Sequence, residues 1–186
     1  METVNDCSLG ALTSSGNFVR SDTQEDFIML KGSPTLTLFD REGNVVQRHT
    51  SSNLIVRVGR SAIIRMLAGH FVAVTRVARC AVGTGGALPA TPWTPIAPTE
   101  SDLGLAAEVI ASRKDVDGFV YGTGTHPVEV TFTTLFTSEA VNEVVSEAGL
   151  FLNDPSQTML ARHTFPSMYL RSDKGYSLEI AWNIRF

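Results

Sequence analysis

The sequence predicts a mainly β fold. Short segments in which apolar and polar residues alternate recur along the chain, as expected for strands with one buried face, and turn-forming residues cluster between them. One segment, near residues 54–69, has apolar residues at helical spacing instead. These observations favour an antiparallel β-sandwich, jelly-roll or immunoglobulin-like, with one packed α-helix.

The chain divides into an arm and a domain. Residues 1–26 are polar, rich in Ser, Thr, Asn and Asp, and without periodicity, so we expect an extended arm that is disordered alone or ordered by a partner. Residues 27–186 have the length of a single domain. A chain of 186 residues can bury enough of its surface to fold without a disulfide or a metal.

A strand hairpin opens the domain. Leu36 and Leu38 alternate with threonines, which gives one apolar and one polar face. Residues 40–44 form a turn in which Gly43 is free to take a positive φ angle, and the chain returns over residues 45–48.

The helix is predicted over residues 54–69, with Ser52 or Asn53 as its cap and Gly69 at its end. Gly59 lowers helix stability, and we interpret it as a point where another backbone approaches closely. The apolar residues near helical spacing on one face are Ile55, Val58, Ala62, Ile63 and Met66.

A strand is predicted from Val74 to Val82, and a long loop rich in Gly and Pro follows over residues 83–98. Because proline donates no backbone hydrogen bond, this loop cannot belong to a central ladder. Its length indicates a functional or contact role. Residues 103–111 are expected to begin as a helical turn and to end as a strand.

The C-terminal half is predicted to consist of strands. Alternation predicts one strand through Val130 and Phe136, and two short strands over residues 148–152 and 158–165. The last strand has the clearest alternation, which marks a core strand with one buried face. Its apolar face comprises Tyr176, Leu178, Ile180, Trp182, Ile184 and Phe186.

Charge and composition exclude several classes of partner. The net charge is −4 and the basic residues form no block, so we expect no nucleic-acid binding. No apolar run has the length of about 18 residues that a membrane helix needs, and the N-terminus does not resemble a secretory signal. The two cysteines, Cys7 and Cys80, are expected to be free thiols in a reducing cytoplasm.

No pattern for catalysis or cofactor binding is found. The glycines of residues 83–86 and 122–124 lack the rest of a phosphate-binding loop, and we interpret them as turn glycines. There is no nucleophile elbow and no C-x-x-C. Catalytic groups on distant strands leave no local motif, so this lowers the expectation of an enzyme without removing it. We predict no catalytic residue and no cofactor.

Candidate metal ligands are scattered along the chain. Glu139, Glu143 and Glu147 recur every four residues, which on a helix would form an acidic stripe open to a cation. We favour the alternative of a solvated face or a segment that is not helical, and predict no metal site. The histidines form no pair at ligand spacing: His49, His70, His126 and His163.

The Pro-rich loop contains the candidate contact residues. Leu88, Trp93 and Ile96 are apolar residues in a segment, 86–98, whose prolines reduce the entropy lost on docking. Tryptophan is enriched among residues that dominate interface energies. Two interpretations of Trp93 stay open at this point: an exposed contact residue, or a plug in the domain's own core.

Several short motifs follow one another in a characteristic order. They are Asn53-Leu54-Ile55, Gly59-Arg60, Ala81-Val82-Gly83-Thr84-Gly85, Leu105 with Glu108, Glu147-Ala148-Gly149-Leu150-Phe151, and Trp182, Ile184 and Phe186. In this order and spacing, residues 50–186 resemble bacteriophage tail and collar-type virion structural proteins.

The resemblance implies a non-enzymatic virion component that works as a homo-multimer. We expect this component in the tail, the collar or neck, or the baseplate. The virion would be assembled in the host cytoplasm, and other phage tail, neck or capsid proteins would be further partners. Two alternatives stay open: a capsid decoration (cement) protein, and a carbohydrate-binding or enzymatic β-sandwich.

Overall fold

Antiparallel strands make up most of the protein, which is mainly β as the sequence predicts. A computed structural model describes residues 30–70, 75–124 and 128–185; the predicted arm, Cys7, His126 and Phe186 lie outside these ranges. The helix of the described ranges is α1 (Arg57–Leu67). The strands are β1 (Lys31–Phe39), β2 (Val45–Thr50), β3 (Leu54–Ile55), β4 (Val77–Gly83), β5 (Ala87–Leu88), β6 (Thr91–Pro95), β7 (Lys114–Asp115), β8 (Gly118–Tyr121), β9 (Glu129–Thr137), β10 (Val144–Leu152), β11 (Met159–Tyr169) and β12 (Ser177–Arg185).

Two five-stranded antiparallel sheets pack face to face. The first, sheet A, has the strand order β2-β1-β12-β9-β8, and the second, sheet B, has the order β3-β11-β10-β4-β7. On one side the sheets are linked where the Asn53 amide donates to the Gly32 carbonyl at 3.1 Å. On the other side, residues 114–118 carry the chain from sheet B to sheet A.

Alternation predicts the inner face of sheet A correctly. Leu178, Ile180, Trp182 and Ile184 of β12 are buried in the core, while the residues between them are half-buried or exposed. Trp182 lies opposite Phe132 on β9 and Pro34 on β1. The predicted Leu36–Leu38 face of the first hairpin is likewise buried, because β1 lies next to β12.

Sheet B is covered on both faces, so its central strands lose the alternation of a half-buried strand. Ala148, Leu150 and Leu152 of β10 belong to the main core between the sheets. Phe151 belongs instead to a second, smaller cluster with Val56, Ala81 and Met159. Side chains of opposite faces are thus buried along one strand, which explains the continuous burial of β10.

Gly59 brings α1 onto sheet B. A Cβ atom at this position would lie 2.3 Å from the Leu160 carbonyl oxygen of β11, so only glycine permits this approach. The close backbone contact predicted at Gly59 is therefore confirmed. Of the predicted apolar face of the helix, Ala62 is buried, but Met66 is exposed.

The predicted start of the helix is wrong. Residues 54–55 form β3, and α1 begins after Val56, which has no side-chain cap. The Asn53 side chain lies against Gly32 instead, and the first helical amide, of Arg57, donates to the Glu100 carbonyl at 2.9 Å. A distant backbone group thus replaces the local cap, which no local pattern can indicate.

Two further segments differ from the prediction. Residues 103–111 contain no strand: Glu108 makes an isolated bridge to Gly83, and Ile110–Ser112 is a 3-10 helix. The segment 139–147 is not helical, since Glu139 lies in a turn and Glu147 on β10. The cation stripe considered for these glutamates does not form.

Candidate interaction surface

A two-stranded ribbon replaces most of the predicted Pro-rich loop. β5 and β6 pair with each other and with neither main sheet, as Ala87 lies opposite Pro95 and Leu88 opposite Thr91. The Ile96 amide donates to the Gly86 carbonyl at 2.8 Å and closes the ribbon at its base. As predicted, this segment does not belong to a central ladder. Its middle, however, forms two strands of its own.

The predicted contact residues are exposed on and beside this ribbon. Trp93 is 75% exposed, Leu88 47% and Ile96 40%. The interpretation of Trp93 as a core plug is therefore wrong for this structure. The role of the three residues in an interface stays a prediction.

The base of the ribbon is anchored on β10 through glycines. The Gly86 amide donates to Ser146 Oγ at 3.0 Å, and that hydroxyl donates to the Thr84 carbonyl at 3.0 Å. A Cβ atom on Gly86 would lie 2.0 Å from the Ser146 carbonyl oxygen, so a side chain cannot be fitted there. These glycines therefore serve close packing.

Glu147 organises the chain around this anchor. Its carboxylate is fully buried and accepts three backbone hydrogen bonds, from Gly85 at 3.1 Å, Ala106 at 3.0 Å and Ala107 at 2.8 Å. Arg162 of β11 donates to the same carboxylate from Nε at 3.0 Å and from Nη2 at 2.6 Å. One side chain thus joins the ribbon base, the 105–107 segment and β11.

Asp102 completes the network on the side facing solvent. Arg162 Nη1 donates to Asp102 Oδ2 at 2.6 Å, and the Thr99 amide donates to the same oxygen at 2.9 Å. Burial alone would raise the pKa of Asp102, but the hydrogen bonds from Thr99 and Arg162 outweigh it and lower that pKa. The carboxylate is therefore held in its charged form, as an ion pair requires.

A second arginine, Arg113, holds the segment that follows residues 105–107. Arg113 donates to both carboxylate oxygens of Glu108 and, at 2.9 Å, to Gln157 Oε1. Its guanidinium carbon lies 3.9 Å from the centre of the Phe151 ring, within the range of a cation–π contact. These contacts hold residues 108–113 beside β4, to which the Glu108–Gly83 bridge also joins the segment.

Sequence reasoning missed this network. The available signal was one charged residue among the apolar residues of each of two strands, Glu147 in β10 and Arg162 in β11. Charged residues are almost never fully buried unless they are paired, so two such positions predict one ion pair. The polar atoms of Glu147 and Arg162 bind to each other and to the surrounding loops, so the role of this ion pair is structural.

Other titratable groups are buried in the core. Burial, together with the nearby His49, lowers the pKa of His163 to about 4. Burial raises the pKa of the free Cys80 thiol to about 12, so it is not a reactive thiolate at neutral pH. In the described ranges, no group of three or more His, Cys, Asp or Glu side chains is placed to hold a metal ion.

Within the part of the chain that the structure describes, the helices are too short or too polar to cross a membrane. Comparison of the chain with protein-family models, with curated proteins and with solved structures finds no match.

Proposed function

We propose that this protein is a non-enzymatic structural subunit of a bacteriophage virion, a multimeric component of the tail, collar or neck, or baseplate. The observation that carries the proposal is the exposed apolar ribbon β5–β6, held on a buried charge network. Partners are other copies of the chain and neighbouring tail, neck or capsid subunits. Assembly takes place in the host cytoplasm.

The ribbon has the properties of a preorganised contact element. Trp93 is mostly exposed although it is a large apolar side chain, and Leu88 and Ile96 add apolar area beside it. The prolines of the segment and the hydrogen bonds at its base limit its conformations before binding. A preorganised element loses less entropy when it docks, which favours association.

The motif order supports a virion role. Residues of separate motifs meet around Glu147: Gly83 and Gly85 contact its carboxylate region, and Leu105 lies beside Gly149. The motifs that resemble those of phage virion proteins thus include those that build the anchor of the ribbon. Low charge density, at 18% charged residues, also leaves much of the surface inexpensive to desolvate.

The first test is the location and copy number of the protein. Purified phage particles are expected to contain it in a few to a few dozen copies, measured by quantitative mass spectrometry and by labelling in electron microscopy. Hundreds of copies on the head would indicate the decoration protein instead. Absence from particles would refute the proposal.

The second test is Trp93→Ala. We expect it to weaken self-association or incorporation into particles by roughly tenfold or more while the unfolding midpoint stays nearly unchanged, because the side chain is exposed. Leu103→Ala, which also removes a 75% exposed apolar side chain, is the matched control. A drop of several degrees in the midpoint with normal assembly would contradict the contact role.

The predicted arm adds a third test. Deletion of residues 1–26, which lie outside the described ranges, is expected to leave the thermal stability of the domain nearly unchanged and to reduce incorporation into particles. Normal incorporation of the shortened chain would show that the arm has no part in assembly.

A further inference from the structure

We infer that the free edge of β8 accepts residues 25–29 of a second copy of this chain as an added strand, whose apolar side chains enter the groove beside it. The inference rests on the proposed multimeric function and names its partner segment. Four features of the described residues carry it: a groove, a strand edge without a partner strand, an arginine without a partner carboxylate, and the topology of sheet A.

The groove lies where the two sheets separate. It has a volume of about 690 Å³, within the range of binding pockets. Phe119 and Tyr121 of β8 line one side with Phe132 of β9, and Val77 of β4 lines the other. Phe132 and Val77 pack against the main core, so the groove gives access to the interior of the sandwich at its edge.

Within the described residues, one edge of β8 has backbone groups without a partner strand. β8 is the terminal strand of sheet A among the described residues, and β9 is its partner on the inner side. The Gly122 amide donates to the Glu129 carbonyl, so by alternation Val120 forms the next hydrogen-bonded pair with β9. The N–H and C=O groups of Phe119 and Tyr121 therefore point away from β9. All three side chains, of Phe119, Val120 and Tyr121, are more than half exposed.

Such an edge is a template for another strand. Exposed apolar edge strands pair readily with extended segments, and the main-chain hydrogen bonds of the added strand provide affinity while pockets select its side chains. β8 carries no charged residue that would oppose pairing.

Charge selects an acidic partner. In the described residues Arg79 pairs with Asp115, and Lys114 pairs with Asp117, so these four charges cancel. Arg76, which also lines the groove, has no carboxylate within salt-bridge distance in the described part of the chain. An unpaired arginine beside an apolar groove fits a segment that joins acidic to apolar residues.

Residues 25–29 of this chain have that composition. Their sequence is Glu-Asp-Phe-Ile-Met, two acidic residues followed directly by three apolar ones. The apolar residues suit the groove, and Glu25 and Asp26 suit Arg76.

The topology requires the segment to come from another copy. Residues 25–29 are followed by Leu30 and then by β1, which is already paired on both sides by β2 and β12. A strand beyond β8 lies four strand spacings from β1, about 19 Å. Met29 is separated from β1 only by Leu30, so the segment cannot lie alongside β8 of its own chain. Each copy would give one strand and receive one, which is head-to-tail assembly into a ring or a filament.

Cross-linking between separately labelled copies tests the inference. On a Cys7→Ser background, Phe27→Cys is introduced in one full-length chain and Tyr121→Cys in another, and the two are mixed with a short bismaleimide. We expect the mixed dimer as the main product. Absence of this product, or preferential cross-linking of Phe27→Cys to Leu67→Cys on the exposed face of α1, would overturn the inference.

A proline at the edge provides the second measurement. Tyr121→Pro removes an amide that does not bond to β9, so we expect an unchanged fold and association weakened by roughly tenfold or more, measured by sedimentation. Phe27→Glu, at a position outside the described ranges, should have the same effect. Val45→Glu, on the opposite edge strand β2, is the control and should associate normally.

Charge exchange separates this inference from the proposed function. Arg76→Glu should weaken association, and Glu25→Arg with Asp26→Arg should restore it. If Tyr121→Pro, Phe27→Glu and Arg76→Glu all associate like the natural protein while Trp93→Ala does not, the strand exchange is refuted and the multimeric function stands. A chain that is monomeric and absent from particles would refute both.

Discussion

Arg162 donates two hydrogen bonds to a single oxygen of Glu147, Oε2, from Nε at 3.0 Å and from Nη2 at 2.6 Å, in a place where both residues are buried. The other oxygen, Oε1, accepts the amides of Gly85 and Ala107. This pair connects two adjacent strands of sheet B to the ribbon that presents Trp93. It therefore links the interior of the domain to its candidate contact surface.

Glu147→Gln is expected to destabilise the protein by about 3–5 kcal/mol, because it leaves the Arg162 charge with one fewer buried partner and turns an acceptor into a donor. The measurement is the free energy of unfolding in denaturant. Glu143→Gln, just before β10, is the control and should change it by less than about 0.5 kcal/mol. Equal small effects would show that the network is dispensable.

Trp182→Ala tests the core face of β12. Trp182 is buried in the main core, so its truncation is expected to cost about 3–5 kcal/mol. Glu179 lies on the opposite face of the same strand, and Glu179→Ala should change stability little. Equal shifts of the two denaturation midpoints would mean that the face assignment is wrong.

The Gly59→Ala substitution has two opposite effects on stability, one through helix propensity and one through packing. Alanine favours an isolated helix over glycine by about 1 kcal/mol. Here, however, the new Cβ would lie 2.3 Å from a backbone oxygen of β11, and overpacking typically costs about 1–3 kcal/mol. We therefore expect net destabilisation by thermal unfolding, with Gly104→Ala, where no atom lies within 4 Å, nearly neutral. A stabilised Gly59→Ala protein would contradict the close docking of α1.

His163 makes stability depend on pH. Its pKa is about 4 in the folded protein and near 6.5 in the unfolded chain, so the unfolded chain binds the proton first as the pH falls. Neutral His163 contributes its full share to the free energy of unfolding above pH 6.5. That share is lost progressively as the pH falls to about 4, by about 3 kcal/mol in total. Burial lowers the pKa of the stacked His49 as well, which acts in the same direction.

Unfolding free energies measured between pH 4 and 7 check this expectation. His163→Phe should flatten the dependence, since its ring can still stack between His49 and Phe165. His70→Gln, at an exposed position, is the control variant. A flat profile in the natural protein would show that His163 is not held neutral in the fold.

The sequence alone determined the features that depend on neighbours along the chain. Alternation identified β12 and its buried face, the first hairpin, and the mainly β character of the protein, because side chains of a strand point to opposite faces with a period of two. It also placed Leu88, Trp93 and Ile96 in a segment outside the main sheets, because proline and glycine act on the local backbone.

Only the tertiary structure decided what depends on residues far apart in sequence. The start of α1 is set by the Glu100 carbonyl and the Leu160 backbone rather than by a local cap. Glu147 is an anchor because Arg162 and three loop amides reach it, and its spacing from Glu139 and Glu143 carries no such information. In the described ranges β8 is an edge strand because of its place in the strand order, which is a property of the assembled sheet. Burial and pairing are set by distances in space, and these arise only when the sheets pack.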